Sequence, residues 1–322
     1  MGEFELIRRF FASAACAAGG EGIALGIGDD CALLHLPAGE QLAVSTDTLV
    51  SGVHFPQDAD PYRLGQRALA VSASDLAAMG ATPLAFTLAL TLPDARADWL
   101  EEFALGLSSM ARDCHLGLVG GDTTRGPLSL TLTVFGRVPA GRALTRAGAR
   151  SGDLLCVGGS LGDGAGALPL VLGEREDSSP EAHYLLQRYW APQPQLALGQ
   201  ALRGRATAAL DISDGLLADC GHIAAASSVA LWVEAARLPL SPALQQLFPR
   251  DFALNCALAG GDDYRLAFTL PANELPAVQA AWPDVRVVGR VEAGQGVHLL
   301  DAAGNESRPP ALGYQHFGSQ GD

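Results

Sequence analysis

LAFTLALTL, residues 84–92, alternates large apolar side chains with Ala and Thr, and this period of two predicts a strand. Its flanks set the fold class. Upstream, residues 62–79 carry helical periodicity and stop at Gly80. Downstream, Asp98 is expected to cap a second helix. Glu101 lies three residues on, and Leu100, Phe103, Leu107 and Ala111 form an apolar stripe. LSLTLTVFGRV (128–138) alternates again, and QLAVSTD (41–47) reads as a strand that ends in polar residues. Helices mixed with strands, several of them antiparallel or half-exposed, predict an α/β (α+β) fold.

Working outward, the pattern changes after the last of these strands. GRVPAGRALTRAGARSGD (136–153) is rich in Gly, Arg and Ala with little periodicity, as a connection between domains would be. We expect one domain over residues 1–148 and a second over 149–322. The second opens on LLCVGG (154–159), a short buried strand that runs into GGSLGDGAGA (158–167). A helix is expected near Asp214, strands at 229–235, 264–270 and 285–292, and an exposed loop at 172–182. A chain of 322 residues is long enough for two such cores.

Charge excludes several functions. The 21 basic residues stand against 35 acidic ones, a net charge of −14, and such a chain repels nucleic-acid backbones. All 21 are Arg. Without a Lys there is no Walker A loop, no protein-kinase strand Lys and no Schiff-base chemistry. Phosphate, if bound, must be neutralised by Arg, backbone N–H groups or metal. The six Cys form no C-x-x-C pair and read as free thiols of a reducing compartment. No apolar run approaches a membrane span, and the amino terminus has no apolar signal core, so a cytoplasmic protein with no membrane partner is expected.

Nine of the 22 Asp fall in six short segments of one character: GIGDD (Asp29, Asp30), VSTDT (Asp47), SASDLAAMG (Asp75), VGGDTT (Asp122), LDISDG (Asp211, Asp214) and AGGDDY (Asp262, Asp263). Each sits among small or apolar residues, several where a strand meets a Gly turn. Asp75 follows Leu64, Ala68 and Val71 in helical steps, which places it in the apolar stripe. A buried carboxylate demands compensation, and with no Lys and few local Arg the candidate is a cation. Mg²⁺ takes one or two carboxylates with phosphate oxygens and water, so carboxylates that gather Mg²⁺ make a polyphosphate receptor. Ser45 and Thr46, beside Asp47, add hydroxyl or carbonyl oxygens of the same hard type. Any one segment alone is equally well a turn or cap.

GGSLGDGAGA could cradle phosphate with backbone N–H groups, or be a flexible turn. The seven His show no metal spacing, and the tail aromatics Tyr314 and Phe317 read first as a docked terminus.

Taken in order, FELIRRFF, GIGDD, STDTLVSGVHF, ASDLAAMGATP, GGDTTRG, LTRAGARSGD, LDISDGL and GGDDYRL, with GYQHF at the end, resemble the bacterial thiamine-monophosphate kinase family. That family lies in the superfamily of aminoimidazole ribonucleotide synthetase and selenophosphate synthetase. The resemblance runs from Phe4 to Phe317. It implies a two-domain architecture of the synthetase type. The N-terminal domain would pair in a homodimer, and the C-terminal domain would close over nucleotide and substrate. It implies phosphoryl transfer from ATP to thiamine monophosphate, assisted by several Mg²⁺. By motif, Asp30, Ser45, Thr46, Asp47, Asp75, Asp122, Asp211 and Asp214 would hold metal. Gly121, Asp122, Arg146 and Ser213 would touch ATP, and His54, Asp263 and Phe317 the thiamine phosphate. No residue is expected to act as a covalent nucleophile or general base; Asp47, Asp122 and Asp214 would serve catalysis through metal. The acceptor is already a phosphate dianion, so positioning and charge neutralisation suffice.

The chain departs from the family pattern at Ala104, where a Tyr is common, at Cys31, and in GGDDYRL, where Asp262 and Arg265 replace two Glu. A ring-closing synthetase fits the GYQHF tail less well. A selenophosphate synthetase needs a Lys that is absent here. A non-catalytic nucleotide- or metal-binding protein would not need the full carboxylate set.

Overall fold

The structure is a computed structural model that describes residues 3–307 and Gly313. The tail aromatics Tyr314 and Phe317 lie outside the described residues. The chain forms two compact units that divide between Ala143 and Leu144. That point lies inside the Gly- and Arg-rich connection, whose first residues, up to Pro139, continue a strand.

The first unit begins with a short helix α1 (Glu3–Leu6) and a small pair of strands, β1 (Ile23–Leu25) and β2 (Leu33–Leu34). Its main sheet holds β3 (Glu40–Val50), β4 (Thr82–Leu92), β5 (Gly117–Arg125) and β6 (Ser129–Pro139) in the order β3-β6-β4-β5. Only β4 and β5 run parallel, and α3 (Ala97–Cys114) makes the crossover between them. The alternation read in 128–138 is borne out: Leu130, Leu132, Val134 and Val138 are buried, while their neighbours face the other way.

Helix α2 (Pro61–Ala78) covers the same sheet and packs on α3. The approach is closer than side chains allow. A Cβ on Gly106 would lie 1.9 Å from the Tyr62 carbonyl oxygen, and one on Gly65 would lie 2.4 Å from that of Phe103. Leu64, Leu69, Leu76, Leu100, Phe103 and Leu107 fill the space around this contact. Each such side chain stabilises the unit by about 1.5–3 kcal/mol.

One helix start differs from expectation. The residue preceding α3 is Arg96, and Asp98 sits inside the first turn, where its carboxylate pairs with the Arg96 guanidinium at 2.5 Å. Asp98 thus lies two residues past the cap position, an acidic residue within the first turn. Helix α2 shows the capping expected of an Asp: the Asp60 carboxylate accepts from Arg63 N–H at 2.9 Å, with Pro61 in the first position.

The second unit is built on a seven-stranded sheet. Its strands are β7 (Leu154–Val157), β8 (Ala208–Asp211), β9 (Ala230–Glu234), β10 (Leu266–Leu270), β11 (Arg286–Glu292), β12 (Gly296–Leu300) and β13 (Glu306–Ser307). They lie in the order β13-β12-β9-β11-β7-β10-β8, and only β9 and β12 pair in parallel. The helices are α4 (Asp163–Val171), α5 (Pro180–Trp190), α6 (Leu196–Leu202), α7 (Leu216–Ser227), α8 (Pro242–Leu247), α9 (Arg250–Ala259) and α10 (Leu275–Ala281). Leu155, Val157, Leu210 and Leu231 pack with Leu216 and Ile223 of α7 in one core. Among the described residues no helix is long and apolar enough to cross a membrane.

Candidate active site

The first unit gathers its carboxylates in two places. Along β3 the pleat sends Ser45 and Asp47 to the helical side of the sheet, where both are half-buried. There the Ser45 hydroxyl donates to the Asp75 carboxylate of α2. Burial pushes the Asp47 carboxyl up to about 6, and the Asp75 charge pushes the same way, against a hydrogen bond from Ser72. Two carboxylates beside a hydroxyl, each raising the other's cost of ionisation, form a hard oxygen set that a cation relieves.

Thr46 does not join them. It points to the opposite face, where its hydroxyl pairs with that of Thr133 at 2.9 Å across the β3–β6 register. Consecutive strand residues face opposite ways, so no hydroxyl ligand from Thr46 belongs with Ser45 and Asp47.

The second place is a cavity of about 830 Å³, lined among others by Arg8, Asp29, Asp30, Gly121 and Asp122. The Asp29 carboxylate turns back onto Asp30 N–H at 2.8 Å, and the Asp30 side chain is left exposed. Asp122 stands across from Ala89 in the parallel β4–β5 register. The Gly before it is required. Gly121 has φ 156°, and a Cβ there would lie 1.9 Å from the Leu88 carbonyl oxygen. Arg8 is a lining residue that the sequence reading did not single out. His54 closes a turn after β3, with Val50 N–H donating to its Nδ1 at 3.0 Å.

In the second unit three segments interlock around the end of β8. Asp211 closes that strand and is buried, Ser213 is exposed and Asp214 is half-buried. Ser213 O accepts from Asp262 N–H at 2.9 Å, and a Cβ on Gly261 would meet that same oxygen at 2.3 Å. Arg146 is exposed, and its loop is tied to the Ser227 hydroxyl, which accepts from Gly148 and Ala149 N–H and donates to Arg146 O.

Asp263 is directed inward. It is 3% exposed, and both its carboxylate oxygens accept from Gly162 N–H, at 2.8 and 2.9 Å. Burial pushes its carboxyl up to about 8, against the Gly162 hydrogen bond. The Asp263 carboxylate is thereby engaged within its own unit, beneath the Gly162 loop. Its neighbour Asp262 is half-buried, sits at φ 61° and accepts from the Tyr264 hydroxyl at 2.9 Å.

Of the two readings of GGSLGDGAGA, a phosphate cradle is the one left with fewer N–H groups. Gly158 N–H bonds to Leu266 O, Leu161 N–H to Pro239 O, and Gly162 N–H to Asp263. Asp163 of this loop is 1% exposed and accepts from Ser160, Ser241 and Tyr184 hydroxyls. Asp219 was missed as well. It is 4% exposed, and its Oδ2 accepts from Ser213, Asp214 and Gly215 N–H, each at 3.1 Å. Burial and the nearby Asp214 charge push it up to about 7. The one available signal was a carboxylate in the first turn of the helix after LDISDG.

Among the described residues no group of three or more His, Cys, Asp or Glu is placed to hold a metal ion. The pair Asp47 and Asp75 with Ser45 is nonetheless the donor set that Mg²⁺ accepts when substrate phosphate and water complete its shell. The described cysteines are all free, and five of the six are buried. Burial pushes the thiols of Cys114, Cys156 and Cys256 up to about 12, so they are inert.

Residues 28–138 match the family described as AIR synthase related protein, N-terminal domain, and residues 150–301 its C-terminal domain. The chain belongs to the AIR synthase related family. It is 45% identical over 325 aligned positions to the thiamine-monophosphate kinase of Escherichia coli K12, covering 98% of each chain. Its place within the family is thus among the thiamine-monophosphate kinases. The crystal structure of thiamine-monophosphate kinase from Stenotrophomonas maltophilia K279a superposes with a TM-score of 0.86 at 46% identity, over 95% of this chain and 98% of that one. AaThiL complexed with AMPPCP and TMP superposes at 0.78 and 32% identity, over 88% and 89%.

Proposed function

We infer that the chain is an ATP-dependent phosphotransferase that converts thiamine monophosphate to thiamine diphosphate. The observation that carries this is the 45% identity to a curated thiamine-monophosphate kinase over 98% of both chains. The structural relative that holds AMPPCP and TMP supports ATP and thiamine monophosphate as the two substrates. Mixing the protein with Mg-ATP and, separately, thiamine, thiamine monophosphate and aminoimidazole precursors tests it. Thiamine diphosphate should form from thiamine monophosphate alone, and its absence there overturns the reading.

In our reading Asp30, Ser45, Asp47, Asp75, Asp122, Asp211 and Asp214 hold Mg²⁺, with Thr46 restricted to its backbone oxygen. Bound Mg²⁺ would supply charge neutralisation for two phosphates that otherwise repel each other. Gly121, Asp122, Arg146 and Ser213 orient ATP. His54 and Phe317 position the acceptor, and Asp263 does so from beneath, through Gly162. The acceptor phosphate is itself the nucleophile, so transfer is in-line and direct. A phosphoenzyme labelled from ATP alone, or net retention at phosphorus, would sink that mechanism. We also propose a homodimer formed through the first unit, supported by the exposed Leu42 and Val44 on the edge strand β3. A fully active monomer in sedimentation at micromolar concentration would count against it. Free thiols support a cytoplasmic setting.

A further inference from the structure

Two guanidinium groups meet in the second unit without the acceptors that such groups need. Arg188 belongs to α5 and is 9% exposed, and Arg265, half-buried, directly precedes β10. The Nε of each is buried and has no hydrogen-bond partner among the described residues. Arg188 reaches Asp163 Oδ2 only at 3.9 Å, and Arg265 joins no ion pair among the described residues.

The nearby carboxylates are engaged elsewhere. Asp163 accepts from the Ser160, Tyr184 and Ser241 hydroxyls, and both oxygens of Asp263 accept from Gly162 N–H. Burial pushes the Arg265 guanidinium down to about 10, and the Arg188 charge beside it pushes the same way. Asp263, raised to about 8, keeps its proton at neutral pH, which leaves Asp163 alone against two cations. A buried charged donor left unpaired costs about 1–3 kcal/mol or more, so these two call for an acceptor from outside the chain.

The cluster reaches the surface. Tyr184, one turn before Arg188 on the same side of α5, is 38% exposed, and Ser160 is half-buried. Gly159 forms one wall: a Cβ there would lie 3.3 Å from the Arg265 Nε. Two planar forks offer more donors than the two oxygens of a carboxylate can fill. A phosphate group, with three terminal oxygens and nearly two charges at neutral pH, matches both. We propose that Arg188 and Arg265 form a phosphate-binding site in the second unit, one that needs no metal ion. Its ligand is either the free ion or the phosphate of an ester.

The test is titration calorimetry of inorganic phosphate against the full chain in EDTA, which prevents metal from bridging phosphate to the carboxylates. Wild type should bind phosphate. Arg265→Gln should weaken binding about tenfold or more, the worth of a charge-assisted hydrogen bond. Arg265→Lys, which keeps the charge and loses the fork, should weaken it less. Arg205→Gln removes an Arg that already has a partner, Glu274, and should leave binding within about twofold. Melting separates a ligand site from a structural cation. Phosphate should raise the melting temperature of wild type and not that of Arg265→Gln, and without phosphate the variant should melt no lower than wild type. Displacement of phosphate by thiamine monophosphate but not by thiamine would support the site with an ester as its ligand; displacement by neither would support it with the free ion. Wild type that binds no phosphate, an Arg265→Gln variant that binds it like wild type, or one that fails to fold or melts well below wild type overturns the proposal. None of these readings needs turnover, so they stand whether or not thiamine diphosphate forms.

Discussion

Two sets of aspartates, one in each unit, use the same side chain in opposite ways. In the first, Asp47 and Asp75 lie near each other with a hydroxyl, and Asp30 and Asp122 line a cavity. These carboxylates are half-buried or exposed, and in the reading proposed above a cation would relieve them. In the second, Asp163, Asp219 and Asp263 are nearly inaccessible and collect hydroxyl or backbone N–H groups from the loops around them. They shape the loops from beneath. The difference teaches that a carboxylate's partners, more than its motif, decide whether it meets a ligand.

The largest expected effect tests the first kind. Asp47→Asn or Asp122→Asn should cut kcat on the order of a hundredfold or more while the fold persists, since the Mg²⁺ proposed there would be charged and close to the reaction. Steady-state thiamine diphosphate formation at moderate Mg²⁺ checks this, and a wild-type kcat in either variant ends the assignment.

The second kind should show itself in stability. Asp263→Ala leaves the buried Gly162 N–H without its acceptor and should cost about 1–3 kcal/mol in urea unfolding. The pH dependence has a definite sign. Asp263 titrates near 8 when folded and near 4 when unfolded, so only the folded chain holds its proton between those values. Its contribution to stability is complete below about pH 4 and declines as pH rises through about 8. Asp219, raised to about 7, adds a slope of the same sign. Asp263→Asn should flatten the profile between pH 5 and 8; an unchanged slope would show that this group is ionised throughout.

Smaller effects sharpen the contrast within one strand. Ser45→Ala removes the hydroxyl beside Asp75 and should raise the Mg²⁺ concentration for half-maximal activity several-fold, about 1 kcal/mol, the net worth of an ordinary hydrogen bond. Thr46→Val, one residue along, should leave that concentration within about twofold, because its hydroxyl contributes only a cross-strand pair. Equal effects from the two variants would mean that the strand faces are misassigned.

Much of the frame was legible. The alternation in 84–92 and 128–138 and the helical steps that carry Asp75 are periodic signals, and period survives into structure because one face must be buried. Thr46 was legible in principle, since period two already separates it from Ser45 and Asp47; motif grouping obscured that. The inward turn of Asp263 was not legible. Its partner Gly162 lies 101 positions away, and nothing local distinguishes Asp263 from Asp262. Asp163 is bound by Ser241, 78 positions on, and was hidden for the same reason. Asp98 went astray by two positions: the helix begins at Ala97, ahead of it, and end positions are the least sharply marked part of a periodic signal.

The contact between Gly121 and Leu88 has a consequence for tolerance. Asp122 follows directly from a point where two main chains touch, so its placement is registered by atoms that have no rotamers to sample. A side chain can re-orient on warming or after a neighbouring substitution; a peptide plane packed on another can move only if the sheet moves. The missing Cβ therefore acts as a mechanical datum, like the fixed edge from which a machinist measures. Variation in the surrounding core should change how firmly the unit is held together long before it changes where that carboxylate stands.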